Sequence, residues 1–406
     1  MKKVLSLVTA LLVSLSVSSY AGGLGLNNLE YYGEGALIGI TMDNPPTGSN
    51  SGRVFGYFLL GASFDLTSSV QGNVALGYAT TWGGLNGDTL NTYLGAIRVQ
   101  EANLTFNELL DINGLSAKVG RQFYGDEDST VMYLGIVRYN ATLGATTVMP
   151  SIDAVTVYYD YDNIKANAIY GTIADVSNNR NRTLAGVDVK YSNIYKDMFD
   201  IQAYLYEFQN IRPTGIPTGT NILNKYGFYG IKPTFKMDGL KASLEYAQNY
   251  EGRNTFSNDR ANTNLIKFDA SYNFEDAGVT PRGTYFVSGG AVDNYPNDLV
   301  TKNFYTYGNY TPGLIYGQEI FATSLNQQIV NVGLDKVFDK YTFSADYYNV
   351  SQRDGSTRWG EEINVMVKYQ YSKTVEFHLG VAHAFLYAVG APDASKAQLG
   401  VLYKFQ

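Results

Sequence analysis

Residues 361–405 read EEINVMVKYQYSKTVEFHLGVAHAFLYAVGAPDASKAQLGVLYKF. Three runs in this stretch alternate between two faces. Ile363, Val365, Val367, Tyr369 and Tyr371 alternate with Glu362, Asn364, Met366, Lys368 and Gln370. Val375, Phe377, Leu379 and Val381 alternate with Glu376, His378, Gly380 and Ala382. Ala397, Leu399, Val401, Tyr403 and Phe405 alternate with Gln398, Gly400, Leu402 and Lys404. A period of two means strands, because successive side chains point to opposite sides of a sheet. One face is apolar and ends in aromatics; the other is polar or small. Ser372-Lys373-Thr374 is a tight turn, whereas residues 387–395 make a longer loop. Apolar-out, polar-in strands of about ten residues, joined by alternating short and long connections, are the pattern of a transmembrane β-barrel. A soluble sandwich also alternates, but it has no reason to sort its connections by length.

The rest of the chain keeps this rhythm. Strands are expected at 29–41, 53–66, 70–82, 93–106, 115–124, 153–161, 164–174, 183–191, 199–209, 225–237, 240–250, 264–274, 279–288, 328–338, 341–351, 361–371, 375–386 and 396–405. The expected fold class is therefore all-β, an antiparallel transmembrane barrel of eighteen strands. Short connections (67–69, 107–114, 162–163, 192–198, 238–239, 275–278, 339–340 and 372–374) alternate with longer ones throughout. Short turns belong to the periplasmic side of such barrels and long loops to the outside. In lipid every backbone polar group needs a partner, so the sheet has to close. Near the fourth strand Arg98 and Glu101 break the phase, which predicts a bulge.

The chain opens with Lys2 and Lys3, a short apolar run to Val17, and Ser19-Tyr20-Ala21. That order reads as an export signal over residues 1–21, leaving 22–406 for the barrel. No later apolar run is long enough for a membrane-spanning helix. With no cysteine there is neither a disulfide framework nor a lipid-acylation site. Tyr 35 and Gly 42 are high and Pro 10 is low, as suits strands and membrane interfaces. The formal charge of −7 argues against nucleic acid as a partner.

The polar phase gives the expected pore-lining residues: Lys118, Gln122, Lys165, Asp188, Lys190, Tyr204, Tyr206, Lys241, Glu245, Lys267, Asp269, Arg282, Asp335, Asp346, Tyr348, Glu362, Lys368, Glu376 and His378. Basic and acidic side chains nearly balance on this phase, so weak cation preference is expected from the negative net charge. Tyr204, Tyr206 and Tyr348 would present rings to the lumen, suiting flat, partly apolar solutes or packing against a loop. Loops 125–152 and 289–327 are long and aromatic-rich, which favours folding inward over an aqueous lumen.

Two stretches resemble a known family. VGRQFYGD (119–126) is similar to the GRQ-then-Gly-Asp pattern of the alginate-export family of outer-membrane proteins. WGEEINVMVKYQYSKTVEFHLGVAHAFLYAVG (359–390) resembles that family's closing region, where a G-x-E-I-D strand precedes a Tyr-rich turn. The resemblance implies an eighteen-stranded porin-like barrel. The chain departs from the family in its mixed rather than strongly basic lumen, in Asn364 where Asp is common, and in ending Phe405-Gln406.

Catalytic signals are thin. Glu376 and His378 share a face, but any strand places i and i+2 together. Asp126-Glu127-Asp128 is an acidic cluster that suits a solvated loop better than a metal site. Trp82 to Gly87 is a hairpin loop with no helix behind it, so it is no phosphate loop. The expectation is a porin or channel for small hydrophilic solutes or ions, with no enzyme activity, cofactor or metal. Its partners would be outer-membrane lipid and lipopolysaccharide. A polysaccharide exporter or an adhesive surface barrel are the alternatives.

Overall fold

The computed structural model describes residues 27–44, 52–82, 97–127, 129–140, 146–148, 150–173, 182–211, 223–250, 252–253, 260–261, 263–289, 313–320, 327–353, 357–387 and 392–405. The proposed export signal and most of loop 289–327 lie outside these residues.

Eighteen strands form one sheet. In chain order they are β1 (Asn27–Asp43), β2 (Gly52–Thr67), β3 (Val70–Trp82), β4 (Arg98–Phe106), β5 (Leu115–Gln122), β6 (Ile152–Tyr161), β7 (Ile164–Ile173), β8 (Arg182–Asn193) and β9 (Phe199–Ile211). The second half holds β10 (Leu223–Met237), β11 (Leu240–Tyr250), β12 (Asn264–Tyr272), β13 (Val279–Gly289), β14 (Gln327–Phe338), β15 (Tyr341–Gln352), β16 (Arg358–Gln370), β17 (Val375–Leu386) and β18 (Ala394–Phe405). Each strand pairs antiparallel with its sequence neighbours. β18 pairs back onto β1, from Gly33↔Phe405 to Asp43↔Ser395. The sheet is a closed eighteen-stranded antiparallel barrel, so no strand edge is left unpaired.

Local chemistry sets the turns at one end. At Asp238-Gly239 both residues have positive φ, 42° and 84°. That is the backbone a two-residue hairpin needs, and Asp-Gly is a pair that tolerates it. The predicted bulge is present: Ala75 pairs with Glu101 but Leu76 with Val99, leaving Gln100 as the extra residue. Most expected boundaries shift by one to three residues, and two of the differences are structural. β5 stops at Gln122 because the chain then turns into the barrel. β4 begins at Arg98, and residues 93–96 of the expected strand lie outside the described residues.

The two faces are chemically distinct. Leu205, Val187, Leu244, Val332 and Leu399 point outward and are exposed in the isolated chain. At the short-turn end the outward face is collared by Tyr191, Phe199, Tyr272, Phe338, Tyr341, Tyr371 and Tyr403. Aromatic collars beside an apolar band suit a membrane interface. Among the described residues no helix is long and apolar enough to cross a membrane. Charges on the outward phase near the long-loop end are neutralised. Arg121 makes a bidentate pair with Asp153 at 2.7 and 2.8 Å. Glu361 is met by Arg358, Tyr347 and Tyr387.

The chain has no cysteine, so single cysteines report the faces directly. Cysteine at Lys241 or Lys368 should react with a small aqueous thiol reagent in the membrane-inserted protein. Cysteine at Val332 or Leu399 should stay shielded. The reverse pattern would mean a one-residue slip of those strands.

Candidate functional site: a narrowed lumen

By strand parity the expected inward set lies on the face opposite the exposed apolar positions. They do not all face open space. Gln122 and Glu362 are wholly covered, and Tyr206 nearly so, because two segments between strands fold into the barrel.

The first segment follows β5. Tyr124 and Leu134 exchange backbone hydrogen bonds of 2.8 and 2.7 Å, closing a compact loop. Gly125 has φ +87° and a side chain there would strike the Met132 backbone, so the bend requires glycine. The Ser129 hydroxyl accepts the Met132 N–H at 3.0 Å. Val131, Met132 and Leu134 are buried at the long-loop half of the lumen. The Tyr124 hydroxyl donates to Asn167 at 2.5 Å and lies 3.2 Å from that of Tyr206. Its ring meets Tyr206 edge-on at 6.2 Å. Burial pushes the Tyr124 hydroxyl well above the usual tyrosine range, so it remains a neutral donor.

Beneath this segment is a cavity of about 270 Å³ against the β6–β11 wall, lined by Tyr124, Tyr158, Tyr204, Tyr206, Asp126, Asp188, Glu245 and Lys232. The Tyr204 hydroxyl donates to Glu245 Oε1 at 2.8 Å, and Gln202 donates to Asp188 at 2.7 Å. Glu245 Oε2 is buried without a hydrogen-bond partner. This chamber is aromatic and acidic. A second cavity, of about 390 Å³, adjoins it and shares Asp126, Gln202 and Lys232. Its walls carry Lys190, Lys232, Lys236, Lys241, Lys267 and Arg282 against Asp126, Asp200 and Asp269. Asp200 is held by Lys236 at 2.6 Å and Asp269 by Lys267 at 3.1 Å. Arg282 is shared between Asp335 at 2.9 Å and Asp346 at 2.7 Å. Lys232 and Lys241 make no ion pair among the described residues. The near-balance of charge in the sequence is thus not even in space.

The second segment is the short π-helical turn Gly313–Ile320, whose Leu314, Ile315 and Tyr316 are buried against β16–β18. Their N–H groups all donate to the Glu362 carboxylate. Lys396 donates to the Leu314 carbonyl at 2.9 Å. The strand 137–140 of the first loop passes beside this turn. The two infolded segments therefore approach each other across the lumen.

The expected pore-lining set left out Tyr124 and Lys396, and also Gln202, although Gln202 shares the inward phase of Tyr204 and Tyr206. Lys396 shares the inward phase with Gln398 and Lys404, a signal that was present. Asp126, expected in a solvated outer loop, lines both chambers. His383 faces outward and meets Ser395 at 2.9 Å, away from Glu376. Lys165 pairs with Asp160 at the short-turn end, apart from the chambers. Among the described residues no cluster of His, Asp and Glu could hold a metal ion.

The chain matches no protein-family model and no curated protein. It is similar to solved structures along nearly its whole length. OccAB4 of Acinetobacter baumannii aligns over 94% of this chain and 98% of its own, with TM-score 0.63 and 11% identity. OccK11 (OpdR) of Pseudomonas aeruginosa aligns over 94% and 97%, with TM-score 0.59 and 12% identity. OpdK of Pseudomonas aeruginosa, solved with vanillate, aligns over 94% and 100%, with TM-score 0.60 and 11% identity. The resemblance to the alginate-export family is not what these comparisons return. At such identity the likeness is one of fold: the chain has the eighteen-stranded barrel of these proteins.

Proposed function

We propose that this barrel is an outer-membrane channel for diffusion of small hydrophilic solutes. The observation that carries the reading is the lumen itself. A charged inner face, inside an apolar and aromatic outer one, is narrowed by two infolded segments but keeps two joined chambers. The fold shared with substrate-selective outer-membrane porins supports it, as does the export signal expected at 1–21. Lipid and lipopolysaccharide surround the outer face. The expected pore-lining set divides the work. The lysine-rich chamber attracts a carboxylate, and the tyrosine–carboxylate chamber beside it accepts a ring or a cationic group. Small carboxylates and zwitterions fit both. Vanillate, bound by OpdK, is a carboxylate on a ring. A polysaccharide chain would meet the two segments across its path, so export of alginate is the weaker reading.

Planar-bilayer recording tests this. Purified protein should give discrete conductance steps, and their absence would favour an adhesive, plugged barrel. Lys232→Glu should shift the reversal potential in a salt gradient toward cations. The shift should shrink from 0.1 M to 1 M salt as the Debye length falls from about 10 to about 3 Å. An unchanged reversal potential would remove the lysine-rich chamber from the conduction path.

A further inference from the structure

The anchoring of the turn at 313–316 differs in kind from the rest of the barrel. Leu314 and Ile315 N–H donate to Glu362 Oε1 at 2.6 and 2.9 Å, and Tyr316 N–H donates to Oε2 at 2.7 Å. Successive N–H groups turned to one side make a nest for an anion, and here the anion is a side chain of the wall. Glu362 is fully buried. Lys396, also buried, grips the other side of the same Leu314 peptide through its carbonyl. The Tyr316 hydroxyl donates to the Trp359 carbonyl at 2.9 Å. Two glycines make room. Gly313 has φ +82°, and a Cβ there would sit 2.8 Å from the Glu362 carboxylate. A Cβ at Gly360 would run into the Tyr316 hydroxyl.

Nothing in barrel closure requires this arrangement. Glu362 belongs to an inward position of β16 between Tyr348 and Ala384, and the strand ladder is complete without it. A buried carboxylate and a buried ammonium are unfavourable unless each is paired and hydrogen-bonded. Here the turn supplies three backbone N–H donors to Glu362, which also has Asn364, and one carbonyl to Lys396. Without the turn, the two charges face a water-filled lumen, where they are readily solvated. The docked turn and a hydrated lumen are thus alternative ways of satisfying the Glu362 charge.

We propose that the 313–316 turn is a releasable strap, that Glu362 and Lys396 are the positioning residues holding it, and that its release widens the lumen. This rests on the channel reading for its consequence, though not for its geometry. Docked, the strap keeps Leu314, Ile315 and Tyr316 against the wall and lies beside the other infolded segment. Released, it leaves the inner face of β16–β18 to water and solute.

The test uses the full chain with a cysteine at Ile315, which is wholly buried when the strap is docked. In the otherwise native protein this thiol should be nearly inert to an aqueous reagent. Glu362→Gln replaces one acceptor oxygen by an NH₂ group that faces an N–H donor. The thiol should then react at least about tenfold faster, the loss of one charge-assisted bond. Single-channel conductance and open-channel noise should rise in parallel. Gly313→Ala perturbs the same contact from the turn side, away from the strands, and should act alike even if Glu362→Gln impairs insertion. Faster labelling in a barrel that never conducts would keep the strap and sink the channel. Unchanged labelling in both variants, in correctly inserted barrels, would overturn the strap and show that apolar packing alone holds the turn.

Discussion

Arginine in place of Leu205 should lower the free energy of unfolding from a lipid bilayer by about 2–4 kcal/mol, the loss found for a cation near the bilayer midplane. Leu205 lies mid-way along β9, flanked across the sheet by Val187 and Tyr229, all three outward and exposed. Arg121 is held by Asp153 at the strand's long-loop end, whereas the outward carboxylate nearest along β9, Glu207, lies two residues on and already accepts from Gln209. The control lies three residues along the same strand pair, on the opposite face. Gln202 and Lys232 face each other on the inner side, and exchanging Lys232 for Leu should change stability much less, because that face is wet. Reversible urea titration of protein inserted in lipid vesicles gives both values. A loss below about 0.5 kcal/mol for Leu205→Arg, the range of an indifferent surface substitution, would mean that this face does not meet hydrocarbon.

Much of the fold was legible because a strand's two faces meet different media. Where one face meets lipid and the other water, period-two alternation survives in nearly every strand, and one slip would invert it. The bulge was legible for the same reason: Arg98 and Glu101 are out of step, and Gln100 absorbs the difference. The site was legible only as a face. Which inward residues act together depends on register and on loops, and neither has a period. Lys236 and Lys241 are opposite each other on β10 and β11, so two lysines far from any common motif become one basic patch. Glu362 reads as an ordinary inward acid, yet its partners lie 46 to 48 residues away in a segment without alternation. Tyr124 sits where the strand pattern runs on, but Gly125 permits a bend that an alternating pattern does not reveal. Charge counts failed for a related reason. They weigh Arg282, shared between two carboxylates, equally with Lys232, which makes no ion pair among the described residues.

Tyr124→Ala should open the channel, whereas Tyr124→Phe should leave it almost as it is. The first infolded segment touches the neighbouring β7–β9 wall through this side chain. Its ring packs on Tyr206 and its hydroxyl reaches Asn167 of β7 and Tyr206 of β9. Removing a buried aromatic ring forfeits roughly 3–5 kcal/mol. That exceeds thermal energy several-fold, and Val131, Met132 and Leu134 would have to hold a segment bent at Gly125 without the ring. The segment should then leave the β7–β9 wall for much of the time, merging the two chambers into a wider path. Phenylalanine keeps the ring and loses the hydroxyl's bonds, at about 1 kcal/mol each, which is too little to undock it. Asn167 and Tyr206 would be left facing the cavity, where water replaces the lost partner. Single-channel recordings should show a larger, noisier conductance for Tyr124→Ala and steps close to native for Tyr124→Phe. The barrel should unfold at nearly the same urea concentration in both, because the strand ladder is untouched. Equal conductance in all three proteins would place the narrowest point elsewhere, at the 313–316 turn, and make the tyrosine chamber a side pocket. A conductance raised equally by both substitutions would instead assign the docking to the hydroxyl network, with the ring as filler.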